Sequence, residues 1–212
     1  MMRGYGWVLK VHRTSALFLL IFLTGHMVNH LWALAGVESH IAFMNVARFI
    51  YRSWLVEPLI VLSVIVQSVT GFIQLRRVWG RWPTVWHKIQ IFSGLYLMLF
   101  MINHTVAIFI TLRTVFEVDS NFYAAAAGLL IAPLHWFFIP YYALGVIALF
   151  AHIASFIYFR MSYNKVKREK IAFGFILSGF AVSFLIVAAF GGFLYDIELP
   201  ENVRKAYEKF VS

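Results

Sequence analysis

Thr14-Ser-Ala-Leu-Phe-Leu-Leu-Ile-Phe-Leu-Thr-Gly-His-Met-Val-Asn-His-Leu-Trp-Ala-Leu-Ala35 contains no charged side chain. As a helix it would rise about 33 Å, enough to cross about 30 Å of hydrocarbon. Four further stretches qualify in the same way, at 54–75, 89–112, 137–159 and 171–195. The first run is too long, and too polar in its second half (His26, Asn29, His30), for a cleaved signal peptide. The expected fold is therefore all-α: one transmembrane domain, 1–212, of five spanning helices with a short tail, 196–212. Composition agrees. Of 212 residues, 62% are hydrophobic and 13% charged, with mean hydropathy +0.79, which excludes both an ordinary soluble domain and a disordered chain.

The net charge of +9 is explained by position. Arg3, Lys10 and Arg13, then Arg76, Arg77, Arg81 and Lys88, then Arg160, Lys165, Lys167, Arg168 and Lys170 all fall on one side of the five spans, with Glu169 the only acid. The other side mixes Arg48, Arg52, Arg113, Arg204, Lys205 and Lys209 with eight acids. The positive-inside rule then expects a cytoplasmic N-terminus and an external C-terminus. Read this way, the charge sets orientation, and nucleic acid is not an expected partner. Without cysteine, the chain has no disulfide, thiolate metal site, iron–sulfur cluster or covalently attached haem of its own. Outside the spans, 121–133 is expected to form a short helical or re-entrant cover. The tail 201–211 is expected to form an interfacial helix with Tyr207, Phe210 and Val211 toward lipid. Trp54, Trp79, Trp82, Trp86 and Trp136 fit interfacial belts.

An internal repeat selects the candidate site. Ser15–His26 aligns without gaps to Ser93–His104, with five of the twelve positions identical. Both segments run the same way through the membrane, so the register places His26 and His104 at similar depth. Two imidazoles facing at one level suit the two axial positions of a planar haem. Ala16, Gly25 and Gly94 are small enough to admit a macrocycle near the backbone. Polar groups at such depth are costly and point to function. Gln67 and His152 lie lower. His152 can ligate iron, whereas glutamine is a poor haem ligand, and Gln67 is expected to bridge helices by hydrogen bonds. A competing scheme pairs His12 with His26 on one helix face, but His87/His104 and His135/His152 are each turned by about 100°. His12 and His87 lie among edge basic residues and read as interfacial.

His12-Arg13 through His26 and Asn29, Gln67 with Gly71, Ser93-Gly94 through His104, and Gly145 through His152 together resemble the single-chain, five-helix cytochrome b subunits of succinate:quinone and quinol:fumarate oxidoreductases. The resemblance spans the first four helices. It implies a bacterial or archaeal cytoplasmic membrane, b-type haem and electron exchange with quinone. In that family four helices each give one axial histidine, making an outer and an inner haem. His26 and His104 match the outer pair and His152 one inner ligand, while Gln67 stands where the other inner histidine belongs. Flavin and iron–sulfur centres would belong to partner subunits docked on the basic loops.

A second reading keeps the bundle without haem. His26, His30, His104 and Glu57 would converge on iron or zinc, leaving a position open for chemistry. Within the haem reading, Asn29 or His30 would bond a propionate and Glu57 would handle quinol protons. His40, Arg48, Arg52 and His135 would surround a quinone or a lipid headgroup, or simply meet loop carboxylates.

Overall fold

The computed structural model describes residues 6–210. Among these the chain is helical throughout, without strands: α1 (Gly6–Trp32), α2 (Val37–Tyr51), α3 (Val56–Val78), α4 (Val85–Val106), α5 (Phe122–Leu130), α6 (His135–Arg160), α7 (Lys165–Phe190) and α8 (Glu201–Glu208). Five of these helices are long and apolar enough to cross a membrane: α1, α3, α4, α6 and α7. A 3₁₀ turn, Ala33–Ala35, ends the first span, and a π-helical stretch, Ala107–Val115, extends the third.

Neighbouring spans form a ring: α1 against α3, α3 against α4, α4 against α6, α6 against α7, and α7 back against α1. Large apolar side chains such as Ile21, Leu62, Ile65, Leu177 and Phe184 stand exposed on it. In a spanning bundle that is the surface lipid would cover. Packing between spans uses small residues. A Cβ on Gly145 would sit 2.6 Å from the Phe100 ring, and one on Gly179 would sit 2.5 Å from Phe150 Cβ. Such close approach supplies the van der Waals contact that helices in lipid depend on.

Helix boundaries differ from the hydropathy windows for local reasons. The first span is already helical at Gly6, the first described residue and eight before the apolar run, because Lys10 and Arg13 are tolerated in a helix that emerges into the polar edge. Thr84 and Asn164 cap α4 and α7 by accepting from the backbone of His87 and Lys167, which sets those starts ahead of the apolar runs. Gly36, at φ +107°, adopts a conformation that L side chains rarely take and turns the chain from the first span into α2.

Helices α2, α5 and α8 lie at the end of the ring opposite the N-terminus. The expected cover at 121–133 is α5, capped by Asn121, whose side chain accepts from the backbone of Tyr123 and Ala124. Its alanines let it pack against α6, α7 and α8, and Phe122 is fully buried beneath it. The tail helix forms, but its aromatic face is turned otherwise than expected. Tyr207 is 4% exposed, donates to Ala124 O at 2.6 Å and joins the cap, so that its hydroxyl has a partner; Phe210 remains exposed. Val211 lies outside the described residues. Trp86 also departs from the interfacial reading: it is buried and stacks on Tyr158 with centroids 4.7 Å apart.

Gly179→Ala is expected to destabilise the bundle by about 1–3 kcal/mol, since Phe150 Cβ cannot swing away. Gly174→Ala, where a Cβ meets nothing within 4 Å, should be neutral or slightly stabilising. Thermal midpoints of the two variants in one detergent check the contrast.

Candidate functional site

The repeat register brings His26 on α1 and His104 on α4 together, edge to face. These helices are not neighbours in the ring; each flanks α3. Their imidazole centroids are 6.2 Å apart, with planes at 66°. Two metal–nitrogen bonds of about 2 Å, plus about 1 Å from nitrogen to ring centre on each side, sum to about 6 Å. The centroid separation alone matches that sum, with the rings meeting edge to face. Phe22 stacks on His26 with centroids 5.5 Å apart, and Phe100 stacks on His104 at 5.3 Å. The phenylalanines are themselves a matched pair of the repeat, so each copy orients its histidine with the same aromatic ring four residues earlier.

His30, one turn beyond His26, places its Nε2 3.0 Å from His26 Nε2, and one of the two nitrogens donates. His26 ligates a metal through Nε2 only by releasing that bond. Among the described residues, the His104 imidazole has ring contacts but no side-chain hydrogen bond. Beyond His30 the chain of polar groups continues into the cap. His30 stacks on His40 with centroids 5.9 Å apart, and Asn29 Nδ2 donates to His40 Nε2 at 3.1 Å. Three polar atoms here, Asn29 Oδ1, His30 Nδ1 and His40 Nδ1, are buried without a protein partner among the described residues.

One expected role changes. His40 is 2% exposed and lies under Phe122 and Phe190, so it is no surface contact for a headgroup. Burial, then the nearby Arg48 charge, depresses its pKa to about 4, so at neutral pH it is an uncharged partner for Asn29. Glu57 pairs with Arg113 at 2.7 Å, tying the start of α3 to the π-helical end of the third span. No group of three or more His, Asp or Glu side chains among the described residues is drawn together closely enough to hold a metal ion. Of the set His26, His30, His104 and Glu57, His26 lies against both His30 and His104, while Glu57 is held by Arg113.

Near the N-terminal end of the bundle, His152 on α6 leans onto α4. Its Nδ1 lies 3.1 Å from Gln90 O and 3.2 Å from Ser93 Oγ. Gly94 makes this possible, since a Cβ there would meet His152 Cε1 at 2.9 Å. Gly94 thus seats an imidazole, and a Cβ on Gly25 would meet nothing within 4 Å. Gln67 on α3 donates to His12 O and, at 2.9 Å, to Ser15 Oγ, bridging α3 to α1. His12, on the same face of α1 as His26, meets Thr70 Oγ1 on α3 at 2.8 Å. His87, by contrast, bonds Thr84 at the start of α4, as an edge residue would.

At the cap surface Arg48 and Arg52 both hold Asp119, at 2.8 and 3.0 Å, and both also reach Ser120. His135 lies against Trp136 at the start of α6. No family model matches this chain, and neither a curated protein nor a solved structure matches it.

Partial burial pushes the Asp119 carboxyl up, but hydrogen bonds from Arg48 and Arg52 and their charges outweigh this and hold it below its ordinary value. The clamp's contribution is therefore full above that ordinary value and fades as pH falls through the depressed one. With Asp119 44% exposed, the clamp is worth about 1 kcal/mol or less. Asp119→Asn should lower the thermal midpoint by no more than about 4 °C at neutral pH, and the gap to the unaltered protein should close in strong acid.

Proposed function

We propose that this chain is a membrane cytochrome-b-like protein that holds a b-type haem between His26 and His104 and passes electrons to or from quinone. The observation that carries the reading is the juxtaposition of two imidazoles from non-adjacent helices, with centroids 6.2 Å apart. A pair of nitrogens satisfies a metal that brings its own equatorial ligands. A bare iron or zinc ion requires three or four protein ligands, and no such group is assembled among the described residues. Bound there, the haem would supply reversible one-electron chemistry.

The chain's own side chains do the rest. Phe22 and Phe100 hold the two imidazole planes and keep water from them. The apolar surroundings disfavour added charge and so bear on the potential. Asn29 and His30 are the polar groups available to the propionates at that level. Glu57, beside Arg113 at the start of α3, is the acid placed to exchange quinol protons at the capped end. The basic loops at the opposite end would face the cytoplasm of a bacterial or archaeal cell. There they would dock subunits carrying flavin and iron–sulfur centres.

Reduced-minus-oxidised spectra of the purified protein, with metal analysis, test this reading. The expected result is a b-type spectrum that loses one haem equivalent in each of His26→Ala and His104→Ala. Stoichiometric iron or zinc without a Soret band would overturn it in favour of the non-haem metalloprotein. A haem spectrum indifferent to both substitutions would overturn the ligand assignment.

A further inference from the structure

We propose that a groove between α1 and α3, at the N-terminal end of the bundle, is a binding site for one anionic phospholipid. None of the residues assigned to the haem takes part, so the site stands whether or not haem is bound. The groove measures about 400 Å³ and is lined by Lys10, Val11, Thr14, Ser15 and Phe18 on α1 and by Ser63 on α3. Its hydroxyls set it apart. Between them α1 and α3 carry Thr14, Ser15, Thr24, Ser63, Ser68 and Thr70. Ser15, Thr24 and Ser68 each donate at 2.8 Å to the carbonyl one turn back on their own helix, and Thr70 does so at 2.6 Å. Thr14 and Ser63 do not, and among the described residues neither side chain has a hydrogen-bond partner. Both line the groove. A hydroxyl left without an acceptor in hydrocarbon is costly, so what fills this groove brings acceptors with it.

The lining groups are ordered by depth. The steps from Lys10 to Thr14 and from Thr14 to Phe18 each descend about 6 Å along α1. The bond from Gln67 to Ser15 fixes the register of the antiparallel α3, so Ser63, one turn before Gln67, comes level with Phe18. A cation at the edge, a hydroxyl donor beneath it, and a second donor beside an aromatic ring lower still match a phospholipid from the outside in: phosphate, ester carbonyls, upper acyl chain. Charge selects the headgroup. Lys10 is exposed and, among the described residues, has no ion pair. No acid stands in α1, and Arg13, with Arg76 and Arg77 in the last turn of α3, adds positive charge at the same end. A basic pocket between spanning helices suits an acidic headgroup. A neutral quinone would use the hydroxyls and leave Lys10 idle.

Native mass spectrometry of the purified full chain in detergent, titrated with phosphatidylglycerol and with phosphatidylcholine, tests the site. One phosphatidylglycerol per chain should bind in preference to phosphatidylcholine. Lys10→Gln should weaken its binding about fivefold, the attraction of one basic residue near a membrane surface. Thr14→Val and Ser63→Val, which keep the side-chain shape, should also weaken it severalfold. Lys88→Gln, an equal loss of charge at the same end of the bundle on α4, should leave it unchanged. The variants are compared at thermal midpoints in lipid-free detergent that match the unaltered protein, which separates lost binding from lost folding. Equal retention of the two lipids would overturn the proposal. So would a preference that falls as far in Lys88→Gln as in Lys10→Gln, the behaviour of diffuse surface charge, or one indifferent to Thr14 and Ser63. A neutral quinone that displaces phosphatidylglycerol and binds Lys10→Gln as well as the unaltered protein would overturn it in favour of a quinone site.

Discussion

Inside hydrocarbon an imidazole has no water to bond, so its nitrogens find partners on other helices or the helix bearing it pays for the burial. That constraint organises this bundle. His12 binds α1 to α3 through Thr70, and Gln67 repeats the tie through the His12 carbonyl. His152 binds α6 to α4 through Gln90 and Ser93. The apolar majority of the sequence places the helices in a membrane but says little about which pairs should touch, because one leucine face packs nearly as well as another. The few polar contacts supply the register, and the glycines opposite them supply the space.

The cap solves a related problem at the other end. Three short helices bury the polar chain Asn29, His40, His30 and His26 beneath Phe122 and Phe190. The hydroxyls of Tyr195 and Tyr207 reach in to accepting carbonyls on Ala33 and Ala124, each at 2.6 Å. Arg48, Arg52 and Asp119 then fasten the surface above. The histidines nearest this end are thus screened from water by protein, which matters for any redox group held there.

The five spans were legible because length and uncharged composition are properties of each segment alone. The His26 and His104 level was legible through the repeat, which carries three-dimensional information in its register. What could not be read was partnership. The stretch that forms α2 resembles a polar loop because its apolar face is earned only against α1 and the cap. Tyr207 looks lipid-directed until α5 presents a carbonyl to it. Trp86 has the spacing of a belt residue, yet Tyr158 and Phe173 enclose it. In each case the local pattern was sound, and a distant element decided the outcome.

The 3₁₀ turn at Ala33–Ala35 and the π-helical stretch at Ala107–Val115 follow the two copies of the repeat at nearly the same point. One copy leaves the shared helix by winding tighter and the other by winding looser. The approximate twofold likeness of α1 and α4 therefore extends through the histidines and stops. Beyond it, His30 has Ile108 as its counterpart, and an extra residue per turn swings Arg113 toward Glu57. A duplicated pair of helices has in this way acquired two unlike ends: a symmetric interior suited to gripping one object from both sides, and an asymmetric mouth that can treat its two approaches differently.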